Sequence, residues 1–355
     1  MLISKAKEDK FMSKKNNKTH KVFSWIKVIS FILIFILVLE GLSTTAFSKA
    51  NATKYNNKFS KAYNYVNEKD DTIDIVALGN SNLYSSLCPV KLWDNTGYTS
   101  TVIASARQTV AFSYSMLTEV MKKQSPKMII LEADMFYEGE DFDADPDEST
   151  SNKRVPTIPH LTDSQLTTDI ENHFTVFLLH DRWKKMIGHA TNTGDEATYN
   201  HGYYYNKTIK ELKNNDNMNY SNKIDSLPYD AVVYLKKIVE LCNQNDIQLM
   251  FYNSPSLRNW SYARHNAVAE YAEDNNAIYL DFNTLDDYEI NFKTDFRDKG
   301  YHMNYFGAKK ITSYIGDYIA NNCPNLIEDK REDDNYSYWY DDKEKFIKVH
   351  EIKTF

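Results

Sequence analysis

Hydrophobic positions along this chain fall into three kinds of pattern. The first is an apolar run from Val28 to Leu39, interrupted only by Ser30. The wider stretch from Val22 to Phe47 is long enough to cross a ~30 Å hydrocarbon core. The second is a set of short apolar runs, each bounded by polar or turn residues: Asp74–Leu78, Thr99–Ile103, Lys127–Leu131, Gln248–Tyr252 and Ile278–Phe282. Continuous rather than alternating hydrophobicity predicts strands buried on both faces, as in a parallel sheet. The third is helical periodicity over Phe112–Lys123, which stops before Ser125-Pro126, and over Ala231–Asn243, Ala263–Glu273 and Tyr305–Asn321. Strand–helix alternation of this sort predicts an α/β domain with helices on both faces of the sheet.

The pattern also divides the chain. Residues 1–27 form a basic N-terminal segment and 28–48 an apolar span. Residues 49–71 read as a polar stalk turning helical near its end, and 72–328 as the α/β domain. Within that domain, 136–228 is a long polar insertion capping the active edge of the sheet. Residues 329–355 are a charged, aromatic tail, either docked or disordered.

Composition sharpens the picture. Of 355 residues, 42% are hydrophobic and 14% aromatic, which suffices for a packed core and excludes a disordered chain. The formal charge of −7 excludes a globally basic surface, so nucleic acid is not an expected partner. Residues 1–27 nevertheless carry eight lysines against two acids, +6, which leaves −13 for the remainder. Lysines ahead of an apolar span hold the N-terminus in the cytoplasm, so the domain is expected outside a single-pass anchor in the cytoplasmic membrane. Ala50-Asn51-Ala52 keeps open the alternative of a cleaved signal peptide. Cys88, Cys242 and Cys323 are odd in number and widely spaced, and suggest neither a disulfide framework nor a zinc site.

Candidate chemistry sits at two places. Leu78-Gly79-Asn80-Ser81-Asn82-Leu83 ends the first strand. In an open parallel sheet, ligands bind outside the carboxyl ends of the strands. A serine there, at the start of a helix, presents its hydroxyl beside backbone N–H groups able to hold an oxyanion. The G-x-S-x-G elbow is incomplete, because Leu83 stands at its second glycine. Near the C-terminus comes Asp295-Phe-Arg-Asp298-Lys-Gly-Tyr-His302-Met-Asn304, just before the last periodic helix. It supplies an imidazole base and an upstream carboxylate to orient it, the partners that serine activation requires. Asp298 is the nearer candidate, with Gly300 available for the turn, and Asp295 is the reserve.

These residues, in this order, resemble the SGNH/GDSL hydrolase superfamily over about residues 72–322. The likeness is greatest to its membrane-anchored bacterial branch related to teichoic-acid D-alanylation and alginate-acetylation proteins. It rests on Leu-Gly-Asn-Ser81, on Val102-Ile-Ala104-Ser-Ala-Arg-Gln108, and on Asp298…His302-Met-Asn304 followed by Gly307-Ala308. The resemblance implies a flavodoxin-like three-layer α/β/α fold, with Ser81 as nucleophile, His302 as base and Asp298 as its orienter. It also implies an oxyanion hole from the Ser81 and Ala104 N–H groups. Four positions depart from the pattern. Asn82 replaces a histidine, Ala104 a glycine, and the usual D-x-x-H gains one residue. Leu131-Glu132-Ala133-Asp134 stands where an oxyanion asparagine belongs, which leaves Asn80 or Asn82 to supply the side-chain donor.

Other constellations carry less. His180, Arg182 and Trp183 read either as a clamp for a sugar or as helix packing, and Asn304 as a further substrate contact. The alternating Asp141, Asp143, Asp145 and Asp147 lack the glycine and glutamate of a calcium loop. Tyr203-Tyr204-Tyr205 suits core packing better than sugar stacking. The expected function is an extracytoplasmic serine esterase or O-acyltransferase acting on acyl esters of cell-surface polysaccharide or teichoic acid, without metal or nucleotide cofactor. By resemblance, a membrane O-acyltransferase is a partner. The alternative is a catalytically weak or inactive adaptor of the same fold, binding a glycan or that partner.

Overall fold

The computed structural model describes residues 24–48, 62–138, 170, 173–179, 183, 198–212, 218–256, 260–288 and 290–355. At its N-terminal end, helix α1 (Ser24–Thr44) is long and apolar enough to cross a membrane, and its Phe31, Leu33 and Leu37 side chains are exposed. A short helical turn, Val176–Leu179, meets the far end of α1. There Thr175 Oγ1 donates to the Phe47 and Ser43 carbonyls at 2.6 and 3.1 Å.

The domain is built on five parallel strands: β1 (Ile75–Gly79), β2 (Ser100–Ala104), β3 (Met128–Glu132), β4 (Gln248–Asn253) and β5 (Ile278–Asp281). Their order is β2-β1-β3-β4-β5. Ala77 lies opposite Val102 on one side and Ile130 on the other, and Ile130 opposite Met250. Successive side chains alternate between two cores. Val76, Leu78, Ile103, Ile129, Leu131 and Phe251 pack beneath α4 (Val110–Val120), α5 (Tyr229–Gln244) and α6 (Tyr262–Asp274). Ile75, Ala77, Val102, Ile130 and Met250 face α7 (Tyr305–Asn322), whose Ile311, Ile315 and Ile319 recur at one-turn spacing. Two buried faces make the continuous apolar strands intelligible. The fold is a three-layer α/β/α sandwich.

Two short helices connect β1 to β2. α2 (Ser81–Ser86) begins directly behind β1. α3 (Pro89–Thr96) has proline in its first turn and ends at Gly97, whose φ of 75° makes a left-handed cap.

The structure redraws both ends of the domain. Ala62, Tyr63 and Tyr65 of the expected stalk are buried in the core. The tail is docked: α8 (Tyr338–Val349) buries Trp339 and Phe346, seven residues apart, on one face. Trp339 stacks on Trp93 of α3 with ring centroids 5.4 Å apart. The His201 ring also stacks on Trp339, at 3.8 Å. The returning end of the insertion thereby covers the β2 edge, where Val102 N donates to the His201 carbonyl at 2.9 Å. Tyr203 packs beside Phe346, and Tyr205 stacks on His350, so these two tyrosines belong to packing.

His201 is buried, with Nδ1 2.9 Å from Glu68 and Nε2 3.3 Å from Asp342. Burial opposes its charge, but the two carboxylates outweigh it and raise the imidazole from 6.5 to about 9. The folded value exceeds the unfolded one. The stabilisation is therefore complete below about pH 6.5 and is lost as pH rises through about 9. Urea midpoints followed by tryptophan fluorescence should fall between pH 7 and pH 10. The difference between wild type and His201→Asn should narrow over the same range. A constant difference would mean that His201 is neutral in the folded chain.

Candidate active site

The strand order reverses between β1 and β3, and the carboxyl ends of those two strands flank a crevice of the sort in which open α/β sheets bind ligands. Ser81 enters it from the first turn of α2. Asn80 caps this helix, its Oδ1 accepting from the Asn82 N–H at 2.8 Å. Gly79 allows α2 to start so close to the sheet. A Cβ there would lie 2.6 Å from the Cβ of Glu132 and 2.8 Å from that of Leu83.

The opposite wall is the loop before α7. His302 Nε2 lies 2.8 Å from Ser81 Oγ, and His302 Nδ1 lies 2.5 Å from Asp298 Oδ2. The other Asp298 oxygen accepts from the His302 and Tyr301 N–H groups at 2.7 and 3.1 Å. One carboxylate thus shapes the loop and orients the ring. The residue added to the D-x-x-H spacing is absorbed by two consecutive left-handed residues, Lys299 (φ 66°) and Gly300 (φ 98°). Burial opposes ionisation of Asp298. Hydrogen bonds and charge from His302, with Arg297 beside it, outweigh burial and hold the carboxyl below its ordinary range. Arg297 ties the loop to α2, donating to Ser85 Oγ at 2.8 Å and lying over the Tyr204 ring. The sequence reading missed Arg297, although it adjoins Asp298.

Asp295 has a different task. Its carboxylate accepts from Lys310 Nζ at 2.8 Å, Asn291 N at 2.9 Å and Thr294 Oγ1 at 2.9 Å, anchoring the loop to α7. Asn304 is a correction to the substrate-contact expectation. It is buried and caps α7, accepting from the Phe306 and Gly307 N–H groups at 2.9 and 3.2 Å. Its amide nitrogen donates to the Thr294 and Thr208 carbonyls at 2.7 and 3.1 Å. Both ends of the side chain are therefore spent on the fold.

Around the serine, Ala104 ends β2 in register with Gly79. Gln108 holds the loop beyond it, donating to the Ile103 carbonyl at 3.0 Å and to Ser113 Oγ at 2.9 Å. Asp134, just past β3, accepts from Asn80 Nδ2 at 2.9 Å and Asn82 Nδ2 at 3.0 Å. Burial pushes its carboxyl up to about 6, partly offset by the Asn80 hydrogen bond. Beneath it Glu132 is fully buried, and burial, reinforced by the Asp134 charge, raises its pKa well above the ordinary value. His180, Arg182 and Asp141 to Asp147 lie outside the described residues, and Trp183 is half exposed. Among the described residues, no group of three or more His, Cys, Asp and Glu side chains is arranged to hold a metal ion.

The assembled site has a hydroxyl, an imidazole on that hydroxyl, a carboxylate on the imidazole, and a helix N-terminus beside them. No family model matches the chain, and no curated protein matches it significantly. Two solved structures show a distant likeness. A protein from Desulfitobacterium hafniense assigned to the G-D-S-L lipolytic family is 13% identical, with a TM-score of 0.35 over 68% of this chain and 97% of its own. A protein from Bacteroides fragilis assigned as an acylhydrolase is 13% identical, with a TM-score of 0.36 over 76% of this chain and 97% of its own. Scores this low carry no argument about chemistry, which rests on the geometry alone.

The two aspartates should separate by experiment. Asp295→Asn removes the charge paired with Lys310 and should lower the melting temperature, leaving fluorophosphonate labelling of Ser81 near the wild-type rate. Asp298→Asn should do the reverse, slowing labelling strongly in a folded protein. Equal labelling losses would dissolve the division of labour.

Proposed function

We propose that this protein is a serine esterase or O-acyltransferase of SGNH type, anchored by α1 and working outside the cytoplasmic membrane. Its substrates would be acyl esters of cell-surface polysaccharide or teichoic acid. The observation that carries the catalytic reading is the 2.8 Å approach of His302 Nε2 to Ser81 Oγ, continued to Asp298 through Nδ1. The basic N-terminal segment and the apolar α1 support the location.

In the first half-reaction, Ser81 Oγ attacks the ester carbonyl carbon while His302 Nε2 accepts the hydroxyl proton. Asp298 fixes the tautomer and stabilises the resulting imidazolium. The negative charge on the carbonyl oxygen is met by N–H donors at the start of α2. Collapse of the tetrahedral intermediate breaks the bond to the alcohol, which leaves with the proton from His302, and Ser81 is acylated. In the second half, an incoming hydroxyl gives its proton to His302 Nε2 as its oxygen attacks the acyl carbon, and collapse breaks the bond to Ser81 Oγ, which takes the proton back from His302. Water makes the protein an esterase, and a polymer hydroxyl makes it a transferase. A membrane O-acyltransferase would be the partner that supplies or receives acyl groups.

The Asp134 carboxylate beside the serine favours a second reading, an adaptor with little activity. Ser81→Ala should abolish fluorophosphonate labelling and aryl acetate hydrolysis. Because Ser81 and His302 share one step, Ser81→Ala/His302→Ala should be about as slow as either single variant. A folded His302→Ala protein that labels at the wild-type rate would end the catalytic reading and leave the adaptor.

A further inference from the structure

Where the resemblance leads one to expect an asparagine, Leu131-Glu132-Ala133-Asp134 offers carboxylates instead, and the structure gives that of Asp134 a defined environment. Asn80 and Asn82 flank Ser81 in the chain, and both amide nitrogens converge on one oxygen, Asp134 Oδ2, at 2.9 and 3.0 Å. The Asn80 amide is held at both ends, since its Oδ1 accepts from Asn82 N at 2.8 Å. That hydrogen bond also occupies the N–H of the residue following the serine. A primary amide has two N–H bonds. Asp134 takes one from each asparagine and leaves one on each, polarised by the carboxylate behind it. All three side chains are buried, in the crevice between β1 and β3.

We propose that Asp134 is a positioning residue for the acyl-transfer step. It does not touch the acyl oxygen. It fixes the Asn80 and Asn82 amides so that the second N–H of each is directed at the oxyanion formed next to Ser81. This rests on the Ser81–His302 reading and adds to it the way the missing donor is replaced: two amides aimed by one acid take the place of a single asparagine. The arrangement also turns a nearby negative charge to use, because the carboxylate reaches the oxyanion only through intervening N–H dipoles.

The test uses the full chain in detergent, with 4-nitrophenyl acetate as substrate and a fluorophosphonate probe for Ser81. Asp134→Ala should lower kcat about 10- to 100-fold, somewhat less than or comparable to deleting an oxyanion donor outright, with KM within about threefold. Asp134→Asn keeps an oxygen that can accept from both amides and should hold kcat within about fivefold of wild type. Asp134→Leu, isosteric without an acceptor, should behave as Asp134→Ala and covers the case in which the smaller variant fails to fold. In an Asn80→Ala/Asn82→Ala background, loss of Asp134 should cost little more, because the groups it positions are gone. The proposal is overturned if Asp134→Ala and Asp134→Leu fold and keep kcat within twofold. It is also overturned if Asp134→Asn is as slow as they are, or if the losses simply add. A wild-type protein that neither labels at Ser81 nor hydrolyses the ester overturns the underlying catalytic reading instead, and this proposal with it.

Discussion

The close approach of β1 to β3 at Gly79 governs the geometry of everything above it. Without a side chain at that position, α2 can begin one residue beyond the strand, and Ser81 emerges at the crevice rather than beyond it. The same approach brings the end of β3 within reach of the helix cap, so that a residue after one strand organises the residues flanking the serine on the other. A methyl group at residue 79 would press on Glu132 and on Leu83 together. It would push apart the two walls that Asp134 joins.

The electrostatics follow from that confinement. Two acids are buried within three positions of each other, one at the end of β3 and one just beyond, and they do not share a role. Burial raises both above the ordinary carboxylate range, but for Asp134 it is partly offset by the Asn80 amide and by the charges of Arg264 and His302. On the other wall, Asp298 goes the opposite way, held ionised by the imidazole it orients. Carboxylates with divergent proton affinities thus line one crevice, and each direction traces to what the group touches.

Much of this was legible in the sequence, for reasons that can be named. The five strands announce themselves because burial on both faces demands unbroken apolar runs. Ser81, Asp298 and His302 stand out because each lies in a local motif at a predictable junction. Other features were hidden because they arise only from convergence in space. Trp339 and Phe346 sit in a heavily charged helix, and two apolar positions seven residues apart make a weak signal until α3 and His201 are beside them. Ala62 to Tyr65 follow a polar stretch and declare themselves core only once packed. Asn304 was misread for a related reason. A polar residue close to His302 suggests substrate, but capping α7 and bridging two loop carbonyls uses every group it has. The role of Asp134 depends on two asparagines more than fifty residues earlier in the chain.

The stack of His201, Trp339 and Trp93 bears on how the chain reaches this state. α8 follows all five strands in chain order, yet it covers helix α3, which lies between the first two of them. Glu68 and Asp342, which hold His201 between them, come from nearly opposite ends of the domain. Contacts of such long sequence separation form late, because the loop they close is large. The β2 side of the sheet is consequently the last to be sealed during synthesis. A nascent domain would present that edge to its surroundings until α8 arrives, and this makes the span before α8 docks the interval in which a folding helper would have something to hold.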